Sequence, residues 1–314
     1  MLRIHYRLMG IIGQTKSASG IHLRKSRMLT KEIKKPTPAL IQYIRIAMKN
    51  PGKPKQELVC EERARFSRKN VRVNPSELEE YRRQCGFAKS KYLPFTYPFL
   101  LTFPLQSALF LSDAYPHAVM GLVHIRNIIT QHKQIPVDAT LDTDCTLIGP
   151  EKVHNGELFT FYTRMHIAGE LVWECRSVLL RRGKKNPDME KAPTLDVLEN
   201  PERIVDWEVP ALTGVKYALL GRDINPIHLF PFTARAFGFK RPIAHGMWAK
   251  ARAMASIESH LKGRPAEVTV DFKLPIFLPG QAQLGYNVRK DGVDFGLTDP
   301  EDGKPFLAGQ VKYI

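Results

Sequence analysis

Two stretches of this chain follow one order, and the repetition limits the folds open to it. "VNPSELEEYRRQCGF" (Val73 to Phe87) and "INPIHLFPFTARAFGF" (Ile224 to Phe239) both open on Asn-Pro and close on Gly-Phe. Asn is a favourable helix N-cap. Pro suits the first helical position, because its φ is preset and it has no N–H to leave unpaired. A longer apolar segment follows each: "TYPFLLTFPLQSALFL" (Thr96 to Leu111) and "HGMWAKARAMASIESHLKG" (His245 to Gly263). The second predicts a helix of about five turns at 3.6 residues each, stopped at Gly263. The first predicts a buried helix starting near Pro98 and bent at Pro104.

Strands then follow in both stretches. In the second, Val268, Val270, Phe272 and Leu274 alternate in "AEVTVDFKLPIFLPG", and "QAQLGYNV", "VDFGLTD" and "FLAGQVKYI" add three more, the last two a hairpin through "PEDGK". In the first, "GLVHIRNIITQHKQI" parallels the strand after the long helix, with "CTLIG", "ELFTFYTRMHIA" and "ELVWECRSVLLRR" completing a sheet. Residues 36–182 and 202–314 therefore read as two diverged copies of one unit. Residues 183–201, polar and holding Pro187, Pro193 and Pro201, read as the linker.

Charge sets the start of the chain apart. Residues 1–72 hold 18 Lys and Arg against 4 Asp and Glu, a net of +14 out of the whole chain's +16, so the remainder is near neutral. Residues 1–35 form a basic arm, suited to anionic surfaces. Its Ser and Thr content, and the absence of an acid before Glu32, resemble a transit peptide, so import into an organelle stays open beside the cytoplasm. It lacks the interleaved aromatics of a nucleic-acid site. The prolines at 94, 98 and 104 speak against a transmembrane helix in the most apolar window, Tyr92 to Leu111. The four cysteines are widely spaced and form no C-x-x-C pair, which points to reduced thiols and to no metal site.

Chemistry concentrates in "GRDINPIHLFPF" (Gly221 to Phe232). Asp223 lies just before the Asn225-Pro226 cap and His228 lies in the first turn after it, so both project from one end of the helix. A carboxylate beside an imidazole makes a proton-exchanging pair near neutral pH. Superposing the two Asn-Pro dipeptides sets Arg72 opposite Asp223 and Glu77 opposite His228, so the first copy keeps a cap without the pair.

The flanks extend the pattern. Tyr217 to Ala251 carries a Tyr, a Gly-Asp-like turn, Asp-x-Asn-Pro-x-His, a Gly-Phe and then Pro-Ile-x-His-Gly-Met. In that order these resemble the signature of the MaoC-like dehydratases, the R-specific enoyl-CoA hydratase family. Arg222 departs from it, standing between Gly221 and Asp223 where the family has Gly-Asp directly. The resemblance implies an α+β double hot-dog: two antiparallel sheets, each wrapping a long central helix, joined as a pseudo-dimer with one degenerate half. It implies a hydro-lyase of the fatty acid type that needs no cofactor or metal and acts on an acyl-CoA or acyl carrier protein thioester. It makes Asp223 and His228 the catalytic pair, Gly246 an oxyanion-hole donor, and Asn225, Pro226, Tyr217 and His245 shapers of the site. Trp248, Met254 and Phe232 are candidates for an acyl tunnel, and Arg235, Lys240 and Arg241 for phosphate contacts. A pseudo-dimer is sufficient as a monomer, with a homodimer also open. A hot-dog thioesterase, or a non-catalytic module binding acyl chains or carrier protein, is the alternative.

Overall fold

The computed structural model describes residues 28–49 and 58–314. Most of the predicted basic arm lies outside the described residues. Its end, Leu29–Glu32, is a short strand β1, followed by helix α1 (Ala39–Met48). The first half continues with β2 (Glu61–Val71), α2 (Pro75–Cys85), α3 (Pro98–Leu111), β3 (Leu122–Gln131), β4 (Leu141–Val153), β5 (Gly156–Ile167) and β6 (Glu170–Arg182). The second runs β7 (Arg203–Val209), α4 (Thr213–Gly221), a single 3-10 turn (Pro226–His228), α5 (Pro231–Ala236), α6 (Gly246–Leu261), β8 (Ala266–Phe272), β9 (Gly280–Arg289), β10 (Gly292–Thr298) and β11 (Pro305–Tyr313).

The strands join in the order β1-β2-β4-β5-β6-β3-β8-β11-β10-β9-β7. Beyond the added strand β1, which pairs parallel to β2, this order is palindromic. β3 and β8 meet antiparallel at its centre, Arg126 opposite Asp271. The two expected sheets are thus fused edge to edge, which removes an unpaired edge from each half. α3 lies against β2 and β4, and α6 against β8 and β10.

Polar groups reinforce the seam. The Arg126 guanidinium donates to both carboxylate oxygens of Asp271, at 2.5 and 2.8 Å. From α6 the buried Lys250 ammonium donates to the Asn127 carbonyl (3.0 Å), the Asn127 Oδ1 (2.6 Å) and the Val268 carbonyl (3.0 Å), tying β3 to β8. Residues 183–201 form no helix or strand, yet they are anchored: the Leu195 N–H donates to Asp271 and Lys273 donates to the Leu195 carbonyl.

The long helices fall where periodicity places them, with Pro104 inside α3. α6 ends at Leu261, two residues before the expected glycine, with Lys262 itself adopting the left-handed cap at φ 49°. β8 stops at Phe272, leaving Leu274 exposed beyond it. Pattern reading missed the strand that opens each half, β2 and β7, because charged residues interrupt both. It also missed α1 and α4.

The Asn-Pro superposition is corrected by the topology. α2 follows β2 as α4 follows β7, and the two helices pack together with Tyr81 and Tyr217 6.3 Å apart. The counterpart of α2 is therefore α4, and Asn225-Pro226 lies in the connection after α4. That connection spans residues 222–245 in the second half and only 86–97 in the first. The shorter connection of the first half holds neither an Asp nor a His.

Candidate active site

The connection after α4 is built from local hydrogen bonds. α4 ends at Gly221, and Arg222 takes the left-handed C-cap at φ 58°. A glycine holds that conformation without strain, whereas a side chain there costs about 1 kcal/mol. The Arg222 guanidinium reaches Glu77 of α2 at 3.4 Å. The chain then reverses. The Asn225 N–H donates to Asp223 Oδ1, and the Ile227 N–H to Asn225 Oδ1, each at 3.4 Å. Pro226 opens the 3-10 turn, so His228 completes a tight turn instead of entering a helix. The returning segment locks it: the Ile243 N–H donates to the Ile227 carbonyl at 3.0 Å. Gly214 permits the fit, since a Cβ there would stand 2.0 Å from the His228 carbonyl oxygen.

His228 Nδ1 lies 2.7 Å from the Ile243 carbonyl. A carbonyl only accepts, so Nδ1 carries the proton and Nε2 keeps its lone pair. His245 is fixed likewise, its Nε2 donating to the Asp223 carbonyl at 3.0 Å. The two imidazoles stack with centroids 3.6 Å apart and planes at 26°. Burial lowers His228 to about 3, helped by the neighbouring His245, and lowers His245 to about 4. Burial acts oppositely on Asp223 and raises its carboxyl, against the pull of His228. Both rings are neutral near neutral pH.

Side-chain ligand atoms of Asp223, His228 and His245 lie within 4.8 Å of one another. A divalent ion needs lone pairs that converge on a point about 2.1 Å from each nitrogen. Stacked rings send their in-plane lone pairs side by side, so the trio suits a water or hydroxyl better than a metal.

The N-terminus of α6 faces the same space. His245 is its N-cap and no side chain caps the first turn; the Trp248 N–H donates to the His245 carbonyl at 3.0 Å, which leaves the N–H groups of Gly246 and Met247 at the open end of the helix. Gly246 begins the helix, and a Cβ there would lie 2.8 Å from the Phe272 ring, so the backbone approaches closely only because the side chain is absent. Gly246, Asp223, Asn225, His228, His245 and Tyr217 all line one cavity of about 420 Å³, within the usual range for small-molecule sites. Pro226 shapes the turn behind it.

Other expectations are redistributed. Trp248 and Met254 are buried in the core, Trp248 donating to the Gln84 carbonyl, and neither lines the cavity. Phe232 is exposed and stacks on Phe230. Arg235, Lys240 and Arg241 are exposed outside the cavity lining. Residues the sequence did not flag complete the wall: Tyr43 and Gln42 from α1, Gln106 from α3, His124 from β3 and Ser177 from β6. All belong to the first half, and no local motif marks them. α1 is held over the cavity by Lys49, which donates to the Phe110 and Ser112 carbonyls at the C-terminus of α3, both at 2.7 Å.

Residues 194–292 match the family model described as "MaoC like domain". The chain is 30% identical over 246 residues, 76% of its length and 86% of the relative's, to 3-hydroxyacyl-thioester dehydratase X of Mycobacterium tuberculosis. It is 35% identical over 65 residues, 20% of its own length and 48% of the relative's, to the (R)-specific enoyl-CoA hydratase of Aeromonas caviae. The crystal structure of HtdX from M. tuberculosis superposes with a TM-score of 0.69 at 27% identity, covering 80% of this chain and all of that one. The fold, the cavity and this likeness along most of both chains agree, and the chain belongs to the MaoC-like dehydratase family.

Proposed function

We propose that this protein is a (3R)-hydroxyacyl-thioester dehydratase, equivalently an R-specific hydratase of trans-2-enoyl thioesters. The observation that carries the reading is the convergence of Asp223 and neutral His228 on one cavity with the uncapped N-terminus of α6. In dehydration the Cα–H bond breaks as the pair accepts its proton. The electrons move through an enolate-like thioester to form the Cα–Cβ double bond. The Cβ–O bond then breaks with a proton from the pair, releasing water. Negative charge on the thioester oxygen is met by the Gly246 N–H and the α6 dipole. The burial that raises Asp223 and lowers His228 lets protons pass between them at small cost, so the titrations belong to the pair. CoA or an acyl carrier protein supplies the thiol, and one chain holds a complete site as monomer or homodimer.

Asp223→Asn and His228→Ala are each expected to lower kcat for trans-2-enoyl-CoA hydration by about 10²–10⁴-fold, with melting curves close to wild type. Wild-type rates in both variants would sink the assignment. Release of free thiol without hydration would show a thioesterase instead.

A further inference from the structure

Among the described residues, several buried side-chain polar atoms lack a hydrogen-bond partner, and four of them, on Tyr217, His245, Gln106 and His124, belong to residues lining the active-site cavity. Tyr217 and His245 sit at its reacting end, their rings 5.2 Å apart. Gln106 and His124 serve no step of the reaction. Gln106 is only 4% exposed, on the stretch of α3 between Leu105 and Leu109, which are fully buried, and its Nε2 is unsatisfied. His124 approaches from β3, its ring 4.9 Å from that of Phe272, the same ring that packs under Gly246. Gly246, Phe272 and His124 therefore follow one another from the oxyanion site into the first half. Buried Ser177 also lines the cavity, its hydroxyl accepting from the Asn127 amide at 3.0 Å.

Leaving a buried polar atom unpaired costs about 1–3 kcal/mol, and an apolar residue of similar size avoids that cost. A cavity shaped for a plain alkyl chain has no use for a glutamine and a histidine there. Resting on the dehydratase reading, we propose that the half of the cavity beyond Phe272 receives an acyl chain bearing a neutral hydrogen-bonding oxygen, a hydroxyl or a keto group, with the Gln106 amide donating to it. A hydroxyl also donates to His124. Burial and the charge of Lys250 hold His124 at about 4, so it is uncharged near neutrality and suits a neutral oxygen better than a carboxylate. Gln106 and His124 are specificity residues in this account, not catalytic ones.

The test uses the full chain and trans-2-enoyl-CoA thioesters of one length, either unsubstituted or bearing a hydroxyl or keto group scanned along the chain. Binding of the matching saturated acyl-CoAs is measured by calorimetry. An oxygenated chain is expected to exceed the alkyl chain by about tenfold or more in kcat/KM and in affinity, because unpaired site groups penalise the analogue lacking the oxygen. Gln106→Leu and His124→Leu are each expected to move that ratio toward one. Activity confined to the hydroxyl arm assigns the donor role to the substrate, whereas equal keto activity leaves Gln106 as the main contact. Preference for the alkyl chain in wild type, or a ratio unchanged in both variants, would overturn the proposal. A binding preference for the oxygenated chain without turnover of any thioester would keep it and remove the dehydratase reading.

Discussion

His228 and Asp223 meet the same burial with opposite consequences. Removing water disfavours the charged form of each, so the imidazole loses its proton more readily and the carboxyl keeps its proton longer. With Nδ1 committed to the Ile243 carbonyl, His228 is neutral across the physiological range, not a group poised at the ordinary imidazole value of about 6.5. Its ring resonances, followed by NMR, are therefore expected to stay in the neutral form from about pH 8 down to about pH 5. Titration near 6.5 would mean that the ring is hydrated or charged at rest, and the base role would need another origin. Arg222 also finds its account at this scale. It fills the left-handed cap that ends α4, and Glu77 holds its side chain.

Among the elements, α4 and the loop behind it work as one piece. Gly214 in the first turn of α4 lets the helix rest directly on the His228 backbone. A methyl group there meets a carbonyl oxygen of fixed backbone, not a flexible side chain. Gly214→Ala is expected to lower stability by about 2 kcal/mol, as overpacking does. It should also lower kcat, because His228 is displaced from the cavity. Denaturant unfolding and steady-state kinetics report the two effects, and a variant with neither would show that α4 moves freely away from the loop. This contact was not legible beforehand. Gly214 and His228 are neighbours only because α4 packs back across the 222–245 connection, a segment that the Asn-Pro superposition pairs with α2.

For the whole molecule, the buried histidines link stability to pH. His124, His228 and His245 have folded values of about 4, 3 and 4, below the unfolded value of about 6.5. As pH falls through that unfolded value the unfolded chain takes up protons that the folded chain refuses, so stability drops. Each site costs up to about 1.4 kcal/mol per pH unit between its unfolded and folded values. Unfolding free energy is expected to be clearly smaller at about pH 5 than at about pH 7, and His124→Phe should flatten the slope. A stability flat across that window would mean that these rings are accessible to protons in the native state.

The sequence by itself determined whatever depends on neighbours along the chain. The two long helices, most of the strands, the Asn225-Pro226 turn and the Asp223–His228 pair are all set by periodicity, capping and fixed spacing. The MaoC-like signature was readable for the same reason, since it occupies one continuous stretch. Only the tertiary structure decided what depends on contacts across the seam. It fused the halves through β3 and β8, stacked His245 on His228, and put Gln106, His124 and Tyr43 of the first half into the wall of a cavity whose proposed catalytic pair lies in the second. Those residues carry no local mark because a side chain's role there is set by which strand edge its half pairs with. That pairing is a long-range choice, made by burial and hydrogen bonding over the whole sheet.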